Sequence, residues 1–283
     1  MRFLLGAALL LTSLIVSQVG TALAYGLIAD LGPAMSAWLR LTLGAMMACL
    51  FLRRRYLPYL FNRHVCCLAT AVAGMALCFT NALHYIPIPT ATALQFLGPF
   101  FLAVAAAKNK IDYGISLLAI TGMALIGLQV NGAQGAWPGI CWAGLSGAFW
   151  VLYIVSARKT ALGLPGFRCL ALAMVMASLL MSPFIITAFS MPSGRQLLAA
   201  LAAAVFLPLL PYFLEMSALR LINTWTFSIV VSLEPCAAII ISRLMLRQHT
   251  PAIQLVGVML IVMAGMAAIF AGQYRARRQG GNA

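Results

Sequence analysis

A chain of 283 residues that is 64% hydrophobic and only 8% charged does not fit a soluble domain, whose surface-to-volume ratio demands a polar shell. In a bilayer the outer surface is apolar and every backbone group must be satisfied internally, which leaves helices or closed barrels. The apolar runs here are long and lack two-residue alternation, so they select helices. The net charge of +14 does not indicate a nucleic-acid binder. Its basic residues stand in short clusters between apolar runs, with no basic face and no binding motif beside them. A topology signal accounts for them.

Ten stretches are long enough to span a membrane: 3–28, 34–52, 65–83, 88–107, 113–130, 137–157, 167–189, 196–219, 224–245 and 252–272. Connections are short, so neighbours should run antiparallel. The first stretch imitates a signal peptide, with Arg2 before the apolar core Phe3 to Val16 and an A-x-A site at Ala22, Leu23 and Ala24. The internal repeat described below needs it as helix one, and it is kept as such. Helix one offers Gln18, Thr21 and Tyr25. Helix two carries Arg40 about two turns in, where it could snorkel or pair with a carboxylate, a structural role being favoured.

Helix four places Thr92, Gln95 and Pro99 on one face, Gln95 being its most polar group. Helix six carries the stripe Trp142, Ser146, Phe149, Trp150 and Tyr153. Such a stripe is ordinarily packing, but its place in the repeat favours cavity lining. In helix eight Glu215 shares a face with Pro208, Pro211 and Tyr212. A structural pairing with Arg220 is favoured there over a substrate contact.

Helix nine holds Glu234 about ten residues in, roughly 15 Å deep at 1.5 Å per residue. Near the midplane an ionised carboxylate costs about 2.5–3.5 kcal/mol, so it should face a cavity, find a partner or stay protonated. Pro235 biases residue 234 away from helical geometry and deprives the Val231 carbonyl of its donor. Broken helices at mid-depth are where transporters place substrate or ion sites. Thr224, Ser228 and Ser232 form a small-residue stripe expected to pack on a neighbour, leaving Glu234 and Phe227 for the cavity. The other two acidic residues, Asp30 and Asp112, are read as solvated loop residues.

With the N-terminus inside, cytoplasmic segments hold 14 of the 18 basic residues: Arg2; Arg53, Arg54, Arg55 and Arg63; Lys108 and Lys110; Arg158, Lys159 and Arg168; Arg220; and Arg275, Arg277 and Arg278. The opposite side holds Arg195, Arg243 and Arg247. The bias puts both termini in the cytoplasm. Residues 82–86 align with 218–222, and the same offset of 136 pairs Thr90 with Thr226, Leu97 with Leu233 and Pro99 with Pro235. Ile115 and Gly127 match Ile253 and Gly265 after a slip of two residues. Five helices per copy make the second copy enter from the other side, and inverted repeats suit alternating access. The expected fold is all-α: ten transmembrane helices as two inverted five-helix repeats, 1–130 and 137–274, around a central cavity. A basic cytoplasmic tail, 275–283, follows.

The seven cysteines lie in or beside apolar runs, form no CxxC pair and are odd in number. They read as small apolar fillers. No histidine stands at metal-ligand spacing and no P-loop is present, so neither metal, cofactor nor direct ATP drive is expected. His64, His84 and His249 have no carboxylate at helical spacing, which argues against a membrane enzyme. A non-transporting scaffold is equally disfavoured.

Several segments together carry a resemblance: 210–219 (LPYFLEMSAL), Thr226-Phe227, 232–235 (SLEP) and 250–255 (TPAIQL) in the second half, and 39–41 (LRL), Ile86-Pro87 and 94–99 (LQFLGP) in the first. Over essentially its whole length the chain resembles the drug/metabolite transporter superfamily with EamA repeats, and is most similar to the threonine/homoserine exporter type of bacterial inner membranes. The resemblance implies a ten-helix fold with a central cavity and export of small metabolites, often amino acids. That type tends to have glutamate where Gln95 stands, and Gly-Glu where Gln248 and His249 precede Thr250. The function expected is secondary active efflux of a small polar or zwitterionic metabolite. Glu234 would contact an amine or exchange a proton, and Gln95 would hydrogen-bond the substrate. The remaining candidate contacts are Phe227, Tyr212, Glu215, Trp150, Tyr153 and Gln18. Efflux of lipophilic cations is the rival reading. The lipid bilayer is the other partner, nucleic acid is not one, and Gly265, Ala268 and Gly272 could pack within the monomer or between two protomers.

Overall fold

The computed structural model describes residues 2–50, 52, 58–59, 61–105, 110–127, 136–163, 166–186, 189–231, 233–246 and 251–280. The basic cluster at 53–55, Lys108, Arg247, the linker at 131–135, Ser232 and residues 248–250 lie outside them. Among the described residues the chain is helical throughout: α1 (Arg2–Leu31), α2 (Pro33–Cys49), α3 (Arg63–Tyr85), α4 (Ile88–Ala105), α5 (Lys110–Gly127), α6 (Ala136–Gly163), α7 (Gly166–Met181), α8 (Gly194–Ala204), α9 (Leu210–Ala218), α10 (Thr224–Val231), α11 (Glu234–Leu246) and α12 (Ala252–Gly280).

Local chemistry sets the boundaries. Gly32, at φ 75°, turns the chain between α1 and α2, and Pro33 opens α2 where its missing N–H is not needed. Asn62 caps α3 by accepting from the His64 N–H, and α3 ends before Pro87. Ser193 and Gln196 form a capping box at α8, and Asn223 accepts from the Thr226 N–H at α10.

Two paths are interrupted. Between α8 and α9 the segment Val205–Leu209 widens to π-type turns, with Leu207 extended at φ −159° and ψ 103° beside Pro208. Between α10 and α11 the helix stops before Glu234, and Pro235 falls in the first turn of α11, where a proline is tolerated. Counting α8 with α9 and α10 with α11 as single paths, the pieces make ten segments.

Among the described residues five helices are long and apolar enough to cross a membrane: Phe3–Leu31, Arg63–Tyr85, Ala136–Leu162, Arg168–Ile185 and Gly194–Ala218. Ile15, Phe101, Leu117, Leu179 and Met259 are among many large apolar side chains on the outside. This is the surface lipid requires, whereas on a soluble monomer it would mark an aggregation patch. The protein is a multi-pass membrane protein.

The strongest packings are α3 on α6, α5 on α12, α4 on α6 and α3 on α7. The α4–α6 contact depends on two glycines. A Cβ on Gly98 would fall 2.1 Å from the Gly147 carbonyl oxygen, and one on Gly147 would fall 2.5 Å from that of Gln95. Helix α1 packs inside the bundle as an integral member of it.

Three expectations change. Asp30 is exposed in the last turn of α1 and not in a loop. Asp112 is buried in the first turn of α5, where a carboxylate meets the positive end of the helix dipole. The basic segment expected as a tail continues α12 as far as Gly280.

Candidate functional site

A cavity opens among α1, α2, α3, α4, α6, α9 and the start of α11. Both helix interruptions border it, since Leu207, Pro208 and Glu234 all line it. The break before Pro235 frees α11 to begin at the cavity wall, so that Glu234 sits in its first turn.

Glu234 is buried at 4% exposure. Its Oε1 accepts from the Ser17 hydroxyl at 2.6 Å and from the Gln18 side-chain amide at 2.8 Å. Glu215 is buried one wall away on α9, and its Oε1 accepts from Ser13 at 3.1 Å. Thus α1 serves both carboxyls from Ser13, Ser17 and Gln18. The second oxygen of each carboxyl has no hydrogen-bond partner among the described residues. The Tyr153 hydroxyl also interacts with the Glu215 carboxyl.

Arg40, 5% exposed, lines the same cavity. Its Nε donates to the Ser36 carbonyl at 3.2 Å, and Nη2 donates to Thr80 Oγ1 at 3.0 Å. Tyr212 is in electrostatic contact with Arg40, Glu215 and Glu234. One wall is aromatic. Phe96 and Trp150 have ring centroids 4.4 Å apart, Trp150 meets Tyr153 edge-on at 6.5 Å, and Tyr153 meets Tyr212 at 5.1 Å. Gln95 donates to Ser146 Oγ at 2.8 Å, and Ser146 donates to the Met75 carbonyl at 3.1 Å, tying α4, α6 and α3 together.

Of the residues singled out in the sequence, Glu234, Glu215, Gln95, Tyr212 and Trp150 line the cavity. Tyr153 stands behind Trp150 and Tyr212, fully buried. Gln18 stands behind Glu234 and holds it. Phe227 belongs to the apolar core and is absent from the lining, because α10 ends before Glu234 and the two residues do not share a continuous face.

Two further readings are corrected. Glu215 does not pair with Arg220, whose Nε donates to the Ala161 carbonyl at 2.8 Å. Arg40 neither snorkels nor pairs with a carboxylate, its hydrogen-bond partners Ser36 and Thr80 being neutral. Sequence reasoning missed Ser13, Ser17 and Thr80. The spacing of Ser13 and Ser17, four residues apart on one helical face, was the available signal.

Residues 137–270 match the model of the EamA-like transporter family. The threonine/homoserine exporter RhtA of Escherichia coli strain K12 is 28% identical over 273 residues, covering 91% of this chain and 89% of that one. The threonine/homoserine exporter RhtA of Salmonella typhimurium strain SL1344 is 27% identical over 260 residues, covering 88% and 86%. A solved crystal structure shares the fold, with a TM-score of 0.74 at 17% identity, over 95% of this chain and 98% of its own. The matched EamA-like region runs from α6 into α12.

Proposed function

We infer that the chain is a secondary active exporter of small zwitterionic metabolites, amino acids of the threonine and homoserine kind first among them, in the bacterial inner membrane with both termini cytoplasmic. The observation that carries this reading is the pair of buried carboxyls, Glu234 and Glu215, that line one cavity. That arrangement suits a substrate ammonium. The relatives named as threonine/homoserine exporters match nearly the whole chain, which supports the substrate class. Gln95, Tyr212 and Trp150 would shape the cavity around the substrate, with Gln18 and Tyr153 holding the residues that touch it and Phe227 packing behind.

The hydrogen bonding of α1 also supports proton exchange. Ser17 Oγ reaches both Glu234 Oε1 at 2.6 Å and the Leu14 carbonyl at 2.9 Å, yet has one hydrogen to give. A proton on Glu234 lets both contacts form at once. Ser13 stands likewise between Glu215 and the Pro211 carbonyl.

Movement follows from two inverted five-helix repeats, 1–130 and 137–274. Positions 136 apart line the cavity in pairs, Met75 with Pro211, Ala76 with Tyr212 and Phe79 with Glu215. Thr42 and Ser178, also 136 apart, share a hydrogen bond of 2.6 Å, as expected near a two-fold axis. Gly6 packs on Leu221 and Ile222 as Gly139 packs on Tyr85 and Ile86, and those contact partners are again 136 apart. Each repeat therefore clasps the other through equivalent contacts, the geometry alternating access requires.

Efflux of radiolabelled amino acids from cells or inverted vesicles tests the reading, with wild type beside Glu234→Ala and Glu234→Gln. Accelerated export of an amino acid should be lost in Glu234→Ala, and any pH dependence should vanish in Glu234→Gln. Unchanged, pH-dependent flux in Glu234→Gln would remove the proton role. The aromatic wall beside two carboxyls also suits lipophilic cations, and competition by cationic dyes separates that reading from the first.

A further inference from the structure

The cavity holds a positive charge that no other part of the chain answers. Arg40 is buried, lines the cavity, and is held by two neutral acceptors, the Ser36 carbonyl on its own helix and Thr80 on α3. Thr80 donates its hydroxyl hydrogen to the Ala76 carbonyl at 2.8 Å, so towards the guanidinium it acts as an acceptor. The chain has four acidic residues, all of them among the described residues. Asp30 is exposed at the end of α1, and Asp112 is buried at the start of α5. Glu215 and Glu234 accept from α1, and none of the four forms an ion pair with Arg40 among the described residues.

A guanidinium does not shed its proton in a protein, and a buried charge without a counter-charge is strongly unfavourable. Whatever fills the cavity must therefore supply negative charge at Arg40. The planar fork of an arginine matches a carboxylate in a bidentate pair. Its aim is fixed by Ser36 and Thr80 before any ligand arrives. Arg40, Glu234, Glu215 and Tyr212 line the same cavity, so it holds the groups that could answer both charges of a zwitterion.

We propose that Arg40 is the carboxylate anchor of the transport site, and that it restricts the substrates to compounds bearing a carboxylate beside an amine. The proposal rests on the exporter reading above and adds its selectivity. Cations without a carboxylate leave Arg40 unanswered and are rejected. A site built around a polar group of its ligand discriminates strongly against analogues lacking that group.

The test uses full-length protein in proteoliposomes and thermal-shift binding assays. The probes are a panel of free amino acids, threonine and homoserine included, with their amides and decarboxylated amines. Wild type should prefer each bound acid over its amide by about tenfold or more. In Arg40→Gln that preference should collapse towards unity through weaker binding of the acid, with the amide unaffected, and Arg40→Lys should fall between.

A folded Arg40→Gln that keeps the wild-type acid-to-amide ratio overturns the anchor and leaves the exporter reading standing. Should neither variant fold, wild type alone decides, since equal acceptance of acids, amides and amines overturns the proposal. Silence of wild type towards the whole panel removes the exporter reading itself, and the anchor with it.

Discussion

Ser17 and Arg40 show how short-range chemistry decides what each side chain of the cavity does. Ser17 is one of two donors that hold Glu234 Oε1. Hydrogen bonds to a charged group are worth about 1.5–3 kcal/mol, so Ser17→Ala should weaken substrate affinity about tenfold or more, with expression unchanged. Transport KM of the variant checks this, and an unaltered KM would mean that Glu234 is positioned without Ser17. At this scale the sequence was legible where a residue is anomalous for its depth. Glu234 in an apolar run, next to a proline, declared itself, and so did the face shared by Pro208, Pro211, Tyr212 and Glu215, all of which line the cavity. What one chain position could not reveal was pairing. The partners of Glu215 and Glu234 lie about 200 residues away on α1, in serines that are common in membrane helices. Arg40 looked structural because its lack of a counter-charge appears only once all four acidic residues are placed.

Helices in this protein are shaped by where they stop and by how closely they touch. The contact of α4 with α6 brings Gln95 to Ser146 and is made at Gly98 and Gly147. A methyl at residue 98 would overlap the backbone of α6, and overpacking of that kind typically costs about 1–3 kcal/mol. Gly98→Ala should therefore lower the thermal midpoint and disturb the Gln95 wall. Gly144→Ala, on the same α6 with open space around it, should leave stability equal or raised. Equal effects of the two would mean that the close approach does not matter. The break before Pro235 was legible because a proline has a local and invariant consequence. The wider break around Leu207 and Pro208 was not, since those prolines read only as members of a polar face. Pro235→Ala should let α10 run into α11, holding or raising thermal stability while lowering flux several-fold as Glu234 turns away. Unimpaired transport in a stabilised Pro235→Ala would detach the break from function.

For the whole molecule, the two ends of the bundle differ in how they are fastened. Arg158 on α6 donates to the Ile222 carbonyl at 2.8 Å and to the Leu219 carbonyl at 3.4 Å, just past the end of α9. Arg220, following α9, donates to the Ala161 carbonyl in the last turn of α6. Each helix thus ends on a cation supplied by the other, satisfying carbonyls that a helix C-terminus leaves open and meeting its negative dipole. The counterpart of Arg220 in the first half, 136 residues earlier, is His84. It is exposed and stacks edge-on against its neighbour Tyr85, 5.1 Å away. The two ends are therefore fastened unequally, and on the topology proposed from the basic residues the latched end would face the cytoplasm. Opening to that side must break the Arg158 and Arg220 bonds, while opening to the other side need not. Arg158→Ala combined with Arg220→Ala should shift the population towards cytoplasmic access. In a variant with the native cysteines replaced and one cysteine at Ala76 in the cavity lining, a membrane-impermeant thiol reagent applied to inverted vesicles should label several-fold faster once both arginines are removed. Labelling from the opposite face should slow, because the total population is shared between the two states. Faster labelling from the opposite face instead would reverse either the assigned orientation or the role of the latch. A parallel series with the cysteine at residue 84, outside the latch, tells those two apart.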